Sequence, residues 1–219
     1  MSKAREFVKL GLFMSLIFFN LSLSAQQNDP ASEAALDKVY STMSAYPQIT
    51  LTFDYTLTNK EAQINQNTSG KVYIQEPKYR LELFESVQLF DGSFTYSIIP
   101  ENLEVVISVP NPTNNSDEIN PSELFSFYKE GFRIDKGRSI TDELMEILLF
   151  PIDSKAEIEK VFVRINTKSN RLVSLTQVGF NKTETTIRVT AYDTATAIDP
   201  KLFAFDRKAY EASGYYIID

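Results

Sequence analysis

The chain has 219 residues and a formal net charge of −7, and it contains neither histidine nor cysteine. The acidic balance disfavours nucleic acids and anionic lipid headgroups as partners, because their phosphates repel an acidic surface. Without His and Cys the chain lacks the usual ligands of transition metals, the base of common hydrolytic triads and any disulfide, so we predict no metal site, no cofactor and no catalytic residue.

The first 25 residues have the pattern of a secretion signal. Basic residues precede an apolar run over residues 10–23, and small residues near Ala25 offer a cleavage site. We therefore expect a signal peptide over residues 1–25, cleaved near Ala25, and a single domain over residues 26–219. The rival interpretation, an uncleaved membrane anchor, needs about 20 apolar residues, which is more than this run provides.

The first predicted element after the signal is a helix. Asp29 supplies an N-cap residue and Pro30 a proline at the first helical position, and apolar residues then recur at helical spacing. We predict an amphipathic helix over residues 31–44, ended by Pro47. Residues 49–58 alternate strictly between apolar and polar side chains, which is typical of a half-buried strand.

Short strands separated by turn residues come next. Glu76 and Pro77 interrupt an otherwise apolar stretch, and proline cannot donate to a sheet ladder, so we predict that a strand ends there. Asp91 and Gly92 form a dipeptide that is typical of hairpin turns. The predicted strands of this part cover residues 70–75, 79–84, 87–90, 94–99 and 103–109.

A polar loop over residues 111–120 leads to a short predicted helix. Asn120 is its candidate cap, Pro121 takes the first helical position, and Glu123 completes a capping box. A third helical segment is a further expectation near residues 140–146. The remaining predicted strands cover residues 132–135, 145–150, 157–166, 172–179, 186–192 and 202–206.

Several predicted strands are apolar on both faces, as in Leu83-Phe84 and Ile98-Ile99. An antiparallel sheet with one wet face would alternate cleanly. We therefore predict a mainly β (α+β) fold in which helices cover the concave face of a strongly curved antiparallel sheet. The pattern alone leaves open whether the interior is a filled core or a ligand cavity.

Candidate catalytic groups are few. The carboxylate pairs Glu82 with Glu85 and Asp142 with Glu143 could serve glycoside hydrolysis, but in an acidic protein such pairs are usually solvated surface. The sequence has no G-x-S-x-G elbow, no Walker loop and no G-x-G-x-x-G motif. The residues favour a binding protein, and an exported hydrolase is the less favoured alternative.

The order of motifs resembles one known family. G-K-V-Y-I-Q-E-P-K-Y-R-L-E begins at Gly70, L-F-D-G-S-F-T-Y at Leu89, and D-P-K-L-F-A-F-D at Asp199. Together with the preceding amphipathic helix, they look like the periplasmic outer-membrane lipoprotein carrier proteins, the LolA family. The resemblance spans nearly the whole chain after the signal. It implies an unclosed antiparallel β-barrel whose opening is lidded by helices around an apolar cavity.

The resemblance also implies a function. Family members are periplasmic chaperones that accept the acyl chains of lipoproteins from an inner-membrane lipoprotein-releasing transporter and pass them to an outer-membrane acceptor. A monomer is expected. Each methylene left in water costs about 0.8 kcal/mol, so acyl chains need a carrier that covers them. An envelope sensor or regulator, or another lipid-binding protein on the same fold, is the alternative that the resemblance leaves open.

The resemblance assigns residues to a cavity, a lid and a gate. Glu76 takes the gate position, where many carriers have an arginine whose donor fork a carboxylate cannot reproduce. Lys78, Arg80 and Lys129 are its candidate partners, and a solvated glutamate at a strand end is the alternative. The expected cavity residues are Phe53, Tyr55, Val72, Ile74, Tyr79, Leu81, Leu83, Phe94, Tyr96, Val105 and Ile107, and those of the lid helix are Leu124, Phe125, Phe127 and Tyr128.

Overall fold

The computed structural model describes residues 28–109 and 121–219. The predicted signal peptide, the loop over residues 111–120 and the candidate cap Asn120 lie outside the described residues. The helices and strands are, in chain order, α1 (Pro30–Ser44), β1 (Ile49–Asn59), β2 (Ile64–Gln75), β3 (Lys78–Leu83), β4 (Ser86–Phe90), β5 (Thr95–Ile99), β6 (Glu104–Ser108), β7 (Phe132–Ile134), β8 (Arg138–Ser139), β9 (Leu144–Pro151), β10 (Ile158–Asn166), β11 (Arg171–Gly179), β12 (Glu184–Asp193), α2 (Arg207–Ala212) and β13 (Tyr216–Ile218).

The described strands form one sheet in the order β13-β6-β5-β4-β3-β2-β1-β12-β11-β10-β9-β7, with β8 paired beside β9. Neighbouring strands run antiparallel, except that β13 pairs with β6 in parallel. Within the described residues the edge strands β13 and β7 do not pair with each other, so the sheet is unclosed. This arrangement confirms the predicted mainly β fold with an unclosed antiparallel sheet.

Helix α1 follows the sequence prediction closely. The Asp29 side chain accepts the backbone N–H of Ser32 at 2.9 Å, which satisfies one of the unpaired donors of the first turn. Leu36, Val39 and Met43 are buried by packing on one face of the sheet. We call the face under α1 the inner face and the opposite face the outer face.

Apolar clusters cover both faces of the sheet. The inner cluster joins α1 to strands β1, β2, β9 and β10, with Leu51 and Ile147 fully buried. The outer cluster joins Leu89 and Val105 to Phe203 and other residues that follow β12. The strands that are apolar on both sides are therefore covered by α1 on one face and by the C-terminal part of the chain on the other.

Three predicted elements differ from the structure. Instead of a lid helix, two short 3₁₀ turns, Pro121–Glu123 and Phe127–Lys129, cover the inner face. The expected third helix near residues 140–146 is wrong, because β9 already begins at Leu144 and pairs with β10. The predicted strand over residues 202–206 is also wrong. Asp199 caps a 3₁₀ turn over Pro200–Phe203, and Asp206 accepts the N–H of Ala209 at 3.1 Å and caps α2.

Glu76 and Pro77 are the turn of a hairpin. Gln75 of β2 pairs with Lys78 of β3, so the two strands stay paired up to the turn itself. The Glu76-Pro77 peptide bond is cis. The missing N–H of Pro77 removes no hydrogen bond from the sheet, because the turn residues lie outside the ladder.

Candidate functional site

An apolar hollow lies between the inner face of the sheet and residues 121–129, which we call the covering segment. Its volume is about 40 Å³, and its surface is wholly apolar. None of the described residues that line it is charged. The lining residues are Leu51, Phe53, Tyr55, Val72, Leu81, Leu83, Pro121, Leu124, Ile187 and Val189.

The alternation of β1 explains why its side chains converge on the hollow. Leu51, Phe53 and Tyr55 share one face of the strand, because successive side chains point to opposite sides. Pairing with β2 places Val72 opposite Leu51 and Gly70 opposite Phe53. Gly70 leaves room for the ring, since a Cβ at that position would lie 2.3 Å from Phe53 Cζ.

The exposure of the lining residues shows where the hollow opens. Leu51 and Val72 are 0% and 2% exposed and form its inner end. Tyr55 and Leu83 are half-buried, and the Tyr55 ring meets the exposed Phe84 ring edge to face at 5.1 Å between centroids. The hollow therefore opens toward the turn between β3 and β4, at the end of β3 opposite to Glu76.

The expected mouth residues Glu76 and Pro77 do not line this hollow. Glu76 lines a separate small pocket with Ile74 and Phe125, so a mouth at Glu76 stays a prediction. Glu76 is exposed in a shallow depression beside Tyr40 and Ser126. Two of its candidate partners interact elsewhere: Arg80 Nε donates to Glu82 at 2.7 Å, and Lys129 Nζ lies 3.4 Å from the centroid of the Tyr40 ring. Among the described residues Glu76 forms no hydrogen bond or ion pair, as expected for a solvated glutamate.

The structure distributes the other expected cavity residues over three places. Ile74 and Tyr79 belong to the inner cluster but do not line the hollow. Phe94 is 43% exposed beside the turn between β4 and β5. The residues that lie in the outer cluster, with the sheet between them and the hollow, are Tyr96, Val105 and Ile107.

The expected lid residues also have different positions. Leu124 lines the hollow, and Phe125 is buried in the inner cluster. Phe127 packs edge to face on Phe132 at 5.7 Å between centroids, whereas Tyr128 turns toward α1. In a regular helix Leu124, Phe127 and Tyr128 would lie on one face, so their different partners fit the two short turns found there.

Sequence reasoning missed part of the lining. Leu51 lies in the alternating strand and shares the face of Phe53, so the alternation could have identified it. Ile187 and Val189 alternate with polar residues in β12 and carry the same signal. Their position beside the hollow follows from the pairing of β1 with β12, which no local pattern reveals.

The covering segment has few polar attachments. Its backbone hydrogen bonds among described residues are all internal to it. The N–H groups of Leu124, Ser126 and Lys129 donate to the carbonyl oxygens of Pro121, Glu123 and Ser126, respectively. The Tyr128 hydroxyl donates to Asp37 Oδ1 of α1 at 2.6 Å. Burial and then this hydrogen bond raise the pKa of Tyr128 well above its ordinary value. Among the described residues, the segment is thus hydrogen-bonded to α1 through Tyr128, and it contacts the hollow through the side chain of Leu124.

The candidate catalytic carboxylates are not among the residues that line the hollow. Glu82 is bonded to Arg80, and Glu143 pairs with Lys168 at 3.1 Å on the surface. In the part of the chain that the structure describes, no group of three or more acidic residues is placed to hold a metal ion. No helix in that part is long and apolar enough to cross a membrane.

No protein-family model matches the chain, and no curated protein matches it in sequence. Among solved structures it is similar to a LolA superfamily protein from Nitrosomonas europaea, at 9% identity and a TM-score of 0.44, covering 80% of this chain and 97% of that one. An uncharacterized conserved protein from Thermus thermophilus is 12% identical with a TM-score of 0.49, covering 82% and 96%. The lipoprotein LppX from Mycobacterium tuberculosis is 12% identical with a TM-score of 0.44, covering 78% and 100%. Scores below 0.5 leave the function to be argued from the residues of this chain.

Proposed function

We propose that this chain is exported, that residues 1–25 are cleaved off, and that the rest functions as a single-domain monomer. The monomer binds the acyl chains of lipoproteins and carries them through the periplasm from the inner to the outer membrane. The observation that carries the proposal is the wholly apolar hollow, which is open at one end. The segment that covers it has no described backbone hydrogen bond to the sheet. The motifs that resemble lipoprotein carriers support the choice of cargo.

The size of the hollow defines how a ligand must enter. At about 40 Å³ it is much smaller than the roughly 150 Å³ cavity that holds benzene. An acyl chain therefore requires the covering segment to move away from the sheet. Leu124 and Phe125 then leave their contacts with the inner face, and methylene groups of the ligand take their place.

Such an exchange suits a carrier that must also release its cargo. One set of apolar contacts replaces another, so the net gain is smaller than the full transfer energy of about 0.8 kcal/mol per methylene. Among the described residues, the hollow surface is formed by apolar atoms, so directional polar contacts do not fix the ligand in one orientation. We therefore expect moderate affinity and tolerance of acyl chains that differ in length.

Binding of a fluorescent fatty acid tests the proposal, with Leu81→Glu as the variant and Ile107→Glu as its control. Both residues are half-buried strand residues, but Leu81 lines the hollow and Ile107 packs on the outer face. We expect Leu81→Glu to weaken binding at least tenfold and Ile107→Glu to leave it within twofold. Leu83→Trp, which fills the hollow with an apolar ring, serves if a buried carboxylate prevents folding.

The cargo is tested by purifying the chain from envelopes and identifying the attached molecules by mass spectrometry. Acylated lipoproteins are the expected result. Recovery of unacylated, misfolded envelope proteins would favour the sensor alternative. A wild-type chain that binds no acyl probe, or a folded Leu81→Glu variant that binds it normally, would contradict the proposal.

A further inference from the structure

Part of strand β2 has an unpaired edge. It pairs with β1 over residues 64–74, but with β3 only over residues 71–75, because β3 ends at Leu83 and turns into β4. Within the described ranges no strand pairs with residues 64–70 on the side away from β1. The backbone N–H and C=O groups on that side are available to a further strand.

An open groove runs beside this edge and meets the mouth of the hollow. The groove has a volume of about 540 Å³ and lies between residues 68–71 and residues 82–87. Leu83 lines both the groove and the hollow. Phe84 lines the groove and contacts Tyr55 of the hollow. A ligand that leaves the hollow at this end therefore enters the groove.

The edge lacks the usual protection against strand addition. Native edge strands commonly carry charges, prolines or bulges that prevent pairing. Residues 64–70 read INQNTSG, without a charge or a proline, and their pairing with β1 is continuous. Because strand addition works through main-chain hydrogen bonds, such an edge accepts peptides of varied sequence.

The direction of β3 defines the direction of the added strand. β3 runs antiparallel to β2 and ends at Leu83, where the hollow opens. A peptide that starts at the mouth and continues the line of β3 along residues 64–70 also runs antiparallel to β2. Its amino end then lies at the hollow and its carboxyl end beside Ile64, about 20 Å away at 3.3 Å per residue.

We infer that residues 64–70 of β2 bind, as an added antiparallel strand, the peptide that follows the acylated amino terminus of the cargo. This inference rests on the proposed function, because the acyl groups must occupy the hollow for the peptide to start at its mouth. The ligand thus binds in two parts, with its apolar chain in the hollow and its peptide extended along the sheet edge.

Residue-resolved amide hydrogen exchange tests the inference with three probes. These are palmitate, an uncharged hexapeptide with an amino-terminal palmitoyl group, and the same peptide with an acetyl group. We expect palmitate to slow exchange around the hollow only, and the palmitoyl peptide to protect amides among residues 64–70 as well. The acetyl peptide alone should protect neither region at the same concentration. N-methylation of alternate peptide nitrogens should weaken the palmitoyl peptide's binding about tenfold and remove protection of the edge.

The outcomes separate this inference from the proposed function. If neither palmitate nor the palmitoyl peptide changes exchange around the hollow, the proposed function fails. If the palmitoyl peptide changes the hollow but leaves residues 64–70 unprotected, only the strand inference fails. Protection of residues 64–70 that grows with protein concentration in the absence of ligand would identify a second copy of the chain as the occupant and overturn the inference.

Discussion

The Tyr128 hydroxyl donates a 2.6 Å hydrogen bond to Asp37 and thereby joins the covering segment to helix α1. Tyr128 is 2% exposed, and burial followed by the bond to Asp37 raises the pKa of Tyr128, so its hydroxyl stays protonated at neutral pH. The attachment is thus a permanent donor–acceptor pair, separate from the apolar contacts above the hollow.

Tyr128→Phe should loosen the covering segment while the sheet stays intact. The change leaves Asp37 without its phenolic donor and should lower the free energy of unfolding by about 2 kcal/mol in urea titrations. The same variant should speed the entry of a fluorescent fatty acid in stopped-flow experiments. Tyr192→Phe is the control, because it removes a comparable 2.7 Å hydrogen bond to the Leu172 carbonyl, away from the segment. Equal entry rates for the two variants would argue against a role of Tyr128 in holding the segment.

Gly70→Ala should disturb the hollow through Phe53. An alanine Cβ would lie 2.3 Å from Phe53 Cζ and 3.1 Å from the Glu82 carbonyl oxygen, so the ring must shift. We expect a loss of about 1–3 kcal/mol in the free energy of unfolding, with weaker fatty-acid binding. Adding Phe53→Leu should restore part of the stability, which a double-mutant cycle measures. Ser69→Ala, at an exposed neighbouring position, should change little.

Glu146 should contribute a pH-dependent part of the stability. Its side chain is 4% exposed and accepts bonds from Arg138 Nη2 at 2.6 Å and Arg164 Nε at 2.8 Å. Burial acts to raise the pKa of Glu146, but the hydrogen bonds and charges of the two arginines outweigh it and hold the pKa below its ordinary 4.5. The ionised carboxylate therefore stabilises the folded chain above pH 4.5, and this contribution is lost as the pH falls through the folded-state pKa.

Glu146→Gln is expected to lower the free energy of unfolding at pH 7 by about 1–3 kcal/mol and to reduce its decline below pH 4.5. Urea titrations between pH 3 and 7 measure both effects. Glu143→Gln is the matched control, because Glu143 pairs with Lys168 on the exposed surface and should change stability by less than about 1 kcal/mol. If the pH profile of stability is unchanged in Glu146→Gln, the ionised Glu146 carboxylate does not stabilise the fold through the two arginines.

Phe205→Ala should destabilise the outer cluster without changing ligand binding. The Phe205 ring stacks on Tyr96 at 4.4 Å and on Tyr210 at 5.2 Å between centroids. We expect a loss of about 2–4 kcal/mol in thermal or urea unfolding, because the removed ring leaves a gap between the sheet and the C-terminal residues. Phe180→Ala, at a largely exposed position, should have little effect. Loss of fatty-acid binding in a folded Phe205→Ala variant would mean that the two clusters are coupled.

Local patterns in the sequence were sufficient for elements whose signals are local. The proline and cap before α1 and the alternation of β1 depend on neighbouring residues, and both elements form close to the predicted bounds. The caps Asp199 and Asp206 carry local signals too, but the apolar residues between them suggested a strand. There the cap residues, which satisfy free backbone N–H groups, decide the conformation.

Alternation could not determine which side of the sheet is the inner face. Tyr96 and Ile107 lie opposite each other on neighbouring strands and share the face of Leu89. The prediction that Tyr96 and Ile107 lie on one face is therefore correct. Their assignment to the cavity depended on a covering element that is distant in sequence. Because β13 pairs in parallel with β6, the C-terminal residues cover that face. The mouth of the hollow likewise depends on where β3 ends relative to β2.

The presence of separate apolar clusters on the two faces of one sheet has a consequence for engineering and for sequence divergence. Side chains of the inner cluster can be made smaller to admit bulkier ligands, while the outer cluster, with Tyr96, Phe203 and Phe205, continues to brace the same strands. The outer cluster on the opposite face then offsets the stability that substitutions on the ligand side remove. Capacity for ligand and tolerance of mutation could therefore be selected almost independently in this chain.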